Sequence, residues 1–188
     1  MTDTEQHGMT RRQLLRHTAW FGSAVVLTVV GGEVISQIGD ASAPAAAENA
    51  NALRFVQISD SHIGFTGPAN TMVEQSFAEA INDINALPYR PDFVMHTGDL
   101  THLSTPDQFD QVKQMMSGLK TGQVYTVPGE HDSVDDHGAH YRQFFAKGTK
   151  GDGWYSFDLG GVHFISLVNT LGLETMGHLG TDQLEFVR

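Results

Sequence analysis

Leu53-Arg-Phe-Val-Gln-Ile58-Ser-Asp60-Ser-His62 decides how this chain folds. Six mostly apolar residues running into small polar ones predict a buried strand that ends in a loop. The pattern recurs twice: Asp92-Phe-Val-Met-His96 leads into Gly98-Asp99-Leu-Thr-His102, and Gln123-Val-Tyr-Thr-Val127 into Gly129-Glu130-His131-Asp132. Helical periodicity fills the intervals. From Thr71 to Leu87 the residues Val73, Phe77, Ile81 and Ile84 share one stripe before Pro88, and from Pro106 to Leu119 so do Phe109, Val112, Met116 and Leu119. A β-α-β-α-β series predicts an α/β fold with a parallel sheet and right-handed crossovers.

Beyond these repeats, the pattern predicts a third helix over residues 136–145 and a Gly/Lys-rich turn at 147–153. Two strands, 154–159 and 162–168, are joined by the hairpin glycines Gly160-Gly161. Thr181 or Asp182 is the expected cap of a last helix beginning with Gln183. The printed chain stops at Arg188 inside that amphipathic pattern, so a C-terminal truncation is expected.

Toward the N-terminus, Arg11, Arg12 and Arg16 precede a largely apolar run from Ala19 to Ile38, and Ala-x-Ala spacings follow at Ala41/Ala43 and Ala45/Ala47. This resembles a twin-arginine signal peptide over residues 1–47, with residues 48–188 as the single folded domain. The expected partner is the twin-arginine export machinery, and the expected location is periplasmic or extracellular. The competing reading is an uncleaved membrane anchor, because about 20 residues reach the length needed to span hydrocarbon. Glu33 and the glycines Gly22, Gly31 and Gly32 argue against it.

Formal net charge is -11, and about -10 without residues 1–47. Such acidity lacks the basic footprint of a nucleic-acid binder, so no nucleic-acid binding is expected. No cysteine is present. Disulfide frameworks, zinc knuckles and thiol nucleophiles are therefore excluded, and any metal must be held by carboxylate or by one of ten histidines.

In open α/β sheets, ligands bind where the strands end, so the three polar loops should meet in one crevice. Asp and His supply oxygen and nitrogen to Zn²⁺, Mn²⁺ or iron, and a carboxylate can bridge two such ions. Asp60-Ser-His62, Gly98-Asp99 and Gly129-Glu130-His131-Asp132, in that order and 39 and 31 residues apart from acid to acid, resemble the opening signatures of the calcineurin-like metallophosphoesterases. The resemblance covers Leu53 to the end and implies a layered α/β/β/α sandwich, incomplete here at the C-terminus. It also implies metal-dependent hydrolysis of phosphomono- or diesters by a hydroxide bridging two divalent or trivalent ions (Mn, Fe or Zn). Asp60 and His62 would bind the first ion, Asp99 both, and Glu130 the second. His131 would stabilise charge on the phosphate and protonate the leaving alkoxide, with Asp132 orienting it. His102 is a candidate support behind the ligands or a structural loop residue.

Two departures stand out. Glu130 replaces the usual Asn, which adds a negative charge and lowers Lewis acidity at that ion. The family's strand-end His and Gly-His-x-His segment do not occur in this chain, so the second ion should bind weakly. The rival reading is an inactive metal-binding remnant. His96 and His163 read as core or sheet-face residues, and His137 and His140 as solvated; His178 has no assigned role.

Overall fold

The computed structural model describes residues 25–30, 33–38, 52–134, 136–170, 177 and 179–188. Strands β1 (Val25–Val30), β2 (Glu33–Ile38), β3 (Leu53–Ile58), β4 (Phe93–His96) and β5 (Val124–Thr126) form one sheet in the order β2-β1-β3-β4-β5. The strands β3, β4 and β5 are parallel, as the repeat predicts. Helix α1 (Val73–Asn85) follows β3 and α2 (Pro106–Met116) follows β4. A second, two-stranded sheet pairs β6 (Tyr155–Leu159) with β7 (Val162–Ser166).

Alternation along the strands divides the interior into two chemically distinct cores. Val56, Ile58 and Val94 face the helices and pack with Phe77, Ile81, Ile84, Phe109 and Val112. The residues between them face the hairpin. Phe55 stacks on Phe93 at 4.5 Å, Tyr125 on Phe157 at 3.8 Å, and Phe157 on Phe164 at 4.9 Å. Helices on one face and a hairpin on the other give the expected layered sandwich as far as its α/β/β layers. Gly160 and Gly161 turn the hairpin at φ of 58° and 80°, the positive values that a two-residue turn needs.

Two local expectations change. Helix α3 (Ala139–Phe145) starts three residues later than predicted, because Asp136 stays outside it and accepts from the amides of Gly138 and His140 at 2.8 and 2.7 Å. Helix α4 (Thr181–Val187) begins after Gly180, so Thr181 and Asp182 lie in its first turn and neither caps it. Its Gln183 is buried, and its amide pairs with both the N–H and the C=O of Val168 at 2.7 and 2.6 Å, as a neighbouring strand would. This clamp fixes where the chain leaves β7.

A further element lies in the apolar run before Ile38. It forms the β1–β2 hairpin, with Val30 opposite Glu33 and β1 antiparallel to β3. Two β-branched runs around Gly31-Gly32 carry a hairpin signal that the leader reading passes over. Arg11, Arg12, Arg16 and residues 41–47 lie outside the described residues, as does His178. No helix among the described residues is long and apolar enough to cross a membrane.

Candidate metal centre

The three polar loops meet at the carboxyl ends of β3, β4 and β5, and backbone bonds lock the first two together. Asp60 N–H donates to the Gly98 carbonyl at 3.0 Å, His62 N–H to Asp99 at 2.9 Å and Ile63 N–H to Leu100 at 3.0 Å. Asp60, His62 and Asp99 all have left-handed backbones, at φ of 59°, 42° and 52°. Such conformations are uncommon outside glycine and cost on the order of 1–3 kcal/mol each, so they persist only where surrounding structure enforces them. Three of the four expected metal ligands carry this strain, as do Ser104 and His137.

The motif glycines have a steric cause. Gly98 has φ of 118°, and a Cβ there would sit 2.7 Å from the backbone of Gly129. On Gly129 a Cβ would overlap the amide and carboxylate of Asp99. Only glycine at both positions lets the second and third loops touch.

That approach gathers the ligands. His62 Nε2 lies 3.7 Å from Asp60 Oδ1 and 3.6 Å from Asp99 Oδ2, while the N–H of His131 donates to Asp99 Oδ1 at 2.9 Å. Asp60, His62 and Asp99 form one group whose ligand atoms lie within 4.8 Å of one another, and Asp99, Glu130 and His131 form another. Asp99 belongs to both. The imidazole of His62 holds the Asp60 carboxyl below its ordinary value. Burial opposes it, yet the carboxylates of Asp60 and Asp99 raise the His62 imidazole above its own. His62 Nδ1 is buried without a hydrogen-bond partner. Carboxylate oxygens beside imidazole nitrogen suit Zn²⁺, Mn²⁺ or iron, so the residues present fit such ions.

Asp132 does not orient His131. Its buried carboxylate accepts from the amides of Leu100, Thr101 and Gly129 at 3.0, 2.8 and 2.9 Å and from the Thr101 hydroxyl at 2.9 Å. It pins the second loop to the third. Burial pushes it up to about 6, against the pull of those donors. The group that orients His131 is the backbone carbonyl of His102, which accepts from His131 Nδ1 at 2.8 Å. The His102 ring stacks on His131 with centroids 4.9 Å apart, so His102 lies in the cluster itself.

The remaining histidines divide. His96 is fully buried between Ser61, whose Oγ is 2.9 Å from Nε2, and the amide of Gly98, and burial lowers it to about 3. His163 lies on the exposed face of β7, where it pairs with Asp158 at 2.9 Å. His137 is exposed, but His140 is not simply solvated: its Nδ1 meets Asp136 at 2.8 Å and the Ser104 carbonyl at 2.9 Å.

A cavity of about 260 Å³ opens over the ligands, and Asn169, Thr170 and Gly177 line its far side. Sequence reasoning missed these three, since nothing local marks them; the Gln183 clamp on Val168 brings them in. A larger cavity of about 480 Å³ lies elsewhere, beside β5 and β6, and no described residue lining it is a histidine or a carboxylate. The candidate ligands Asp60, Asp99 and Glu130 line the smaller cavity.

Residues 53–185 match the model of a family described as calcineurin-like phosphoesterase. A probable glycerophosphodiester phosphodiesterase of Arcobacter nitrofigilis is 28% identical over 92 residues, covering 47% of this chain and 33% of that protein. A probable cyclic nucleotide phosphodiesterase of Rhodococcus erythropolis is 28% identical over 138 residues, covering 71% and 45%. The chain thus spans a third to under a half of the length of these relatives. A purple acid phosphatase from yellow lupin seeds superposes with a TM-score of 0.49 at 15% identity, covering 89% of this chain and 43% of that one.

Proposed function

Because the chain belongs to the calcineurin-like phosphoesterase family, we propose that it hydrolyses phosphoesters, and phosphodiesters in particular, with cations held by Asp60, His62, Asp99 and Glu130. The observation that carries this reading is the sharing of Asp99 between two ligand groups at one cavity floor. Two bound ions would activate a water and neutralise charge developing on the phosphate. The residues of this chain do the rest. Asp99 is held in place by the His131 amide, so its second oxygen is aimed without reorganisation. His131 donates through Nδ1 to the His102 carbonyl, which leaves Nε2 to hold a proton against a phosphate oxygen or deliver it to the leaving alkoxide. Glu130 is exposed and brings a negative charge where the family has a neutral amide, so the ion beside it is a weaker Lewis acid. Phosphodiesters are preferred as substrate because two similar proteins are phosphodiesterases by name.

The test compares bis(p-nitrophenyl) phosphate with p-nitrophenyl phosphate in the presence of Mn²⁺. Faster turnover of the diester is expected, and Asp99→Asn should reduce kcat/KM by about 10³-fold, equivalent to about 4 kcal/mol of lost charge stabilisation. If no turnover occurs with Mn²⁺, Zn²⁺ or iron, hydrolysis is ruled out and a metal-binding remnant is left. Export through the twin-arginine route is proposed as well, on the Arg11-Arg12 pair and the Ala-x-Ala spacings. N-terminal sequencing of the secreted protein should begin at Pro44 or Glu48, directly after one of those spacings; an intact Met1 outside the cytoplasm would refute cleavage.

A further inference from the structure

Beside the carboxylate ligands lies a group that the hydrolytic reading does not use in full. His62, His102 and His131 each bring a ring nitrogen within 4.8 Å of the other two. The ring centroids are 4.7 Å apart for His62 and His131, 4.9 Å for His102 and His131, and 5.8 Å for His62 and His102. Independently, Nδ1 of His62 and Nδ1 of His102 are both buried with no hydrogen-bond partner. An orphaned buried polar atom costs about 1–3 kcal/mol, and two in a single cluster call for a physical reason.

We propose that His62, His102 and His131 form a three-imidazole cation site that competes through His62 with the carboxylate-rich site beside it and takes Zn²⁺ or Cu²⁺ in preference to Mn²⁺. A neutral imidazole offers one lone pair, so His62 serves one ion at a time and the two placements exclude each other. Imidazole nitrogen suits Cu²⁺ and Zn²⁺, which also stand higher than Mn²⁺ in the order of divalent affinities, whereas carboxylate oxygen suits Mn²⁺. His131 becomes a ligand in the three-imidazole placement and loses the nitrogen that would face phosphate. Zinc or copper in excess then acts as an inhibitor, a consequence that rests on the hydrolytic reading above; the binding site itself does not.

The test uses the full chain and the metals alone. Electron paramagnetic resonance of the Cu²⁺-loaded protein should show hyperfine coupling to three imidazole nitrogens. In His102→Phe, Zn²⁺ affinity, read by competition with a chelating dye, should fall at least about 10-fold, while Mn²⁺ affinity stays within about 2-fold. His102→Asn provides the same comparison if the larger ring disturbs folding as judged by circular dichroism. A Cu²⁺ spectrum lacking three-nitrogen coupling, or Zn²⁺ affinity unchanged in both variants, overturns the proposal. Three-nitrogen coupling without any phosphoester turnover would sink hydrolysis and leave this site standing; turnover with Mn²⁺ and no effect of His102 on Zn²⁺ would do the reverse.

Discussion

Asp132 and Asp60 stand at the ends of two loops that converge on the same cavity, yet their surroundings are opposite. Asp132 is fully buried with four donors on its carboxylate, while the Asp60 side chain is 52% exposed, with His62 at 3.7 Å and Ser59 beside it. Ser61 and His96 are also buried and bonded to one another. Beside Asp60 lie Glu130, exposed, and His62 with an unpartnered nitrogen. The inner tier satisfies itself and can only hold the loops. The outer tier keeps its lone pairs for something else, at a cost in left-handed backbone that the inner tier sustains. Stability and chemistry thus reside in different residues a few positions apart in sequence.

The largest expected effect tests the inner tier through pH. His96 titrates near 3 in the fold against 6.5 when unfolded, so between those values the unfolded chain binds a proton that the native chain refuses. The stability that this one group contributes is therefore complete above pH 6.5 and declines as pH falls toward 3, by up to about 5 kcal/mol. Urea denaturation across that range should show His96→Asn with a flatter profile than the parent chain. Next, Asp132→Asn should cost about 3 kcal/mol, because its one NH2 group must face either the amides of Leu100 and Gly129 or the amide of Thr101, donor against donor, in place of an accepting oxygen. If its denaturation midpoint matched the parent's, the division into two tiers would fail.

On the outer tier the sign reverses. Mn²⁺ at about 100 times its dissociation constant should stabilise the chain by about 2.7 kcal/mol in thermal melts. Asp60→Asn should abolish most of that gain while leaving the metal-free melting point nearly unchanged, since a half-exposed carboxylate contributes little to folding. Smallest is Ser61→Ala, expected to cost about 1 kcal/mol by removing the oxygen that meets His96 Nε2 and the donor to the Leu100 carbonyl. A change in Mn²⁺ affinity in that variant would mean that the inner tier reaches the ligands more directly than the hydrogen bonds indicate.

Much of the scaffold was legible because it depends on local pattern. Strands, helices and the Gly160-Gly161 turn follow from periodicity and glycine placement, and the convergence of the three loops follows from a parallel sheet having all its strand ends on one side. Less legible were positions settled by contacts between distant residues. The aspartate after His131 looked like its partner, but its carboxylate is captured by amides about 30 residues earlier, and the carbonyl of His102 takes its place. Asn169 and Thr170 line the cavity directly after Val168, which Gln183 clamps through both its N–H and its C=O. The run from Val25 to Ile38 carried both a leader pattern and a hairpin pattern, and the pairing of β1 with β2 and β3 accounts for the second without bearing on export.

By itself, then, the amino-acid order determined the α/β repeat, the family and which acids and histidines gather at the strand ends, since each of these rests on residue type and spacing along the chain. Which of the gathered groups faces inward as structure and which stays open as ligand was decided only in the tertiary structure. The physical reason is that hydrogen-bond capture of a carboxylate or imidazole depends on amides and carbonyls brought near by the sheet, and no spacing along the chain encodes their direction.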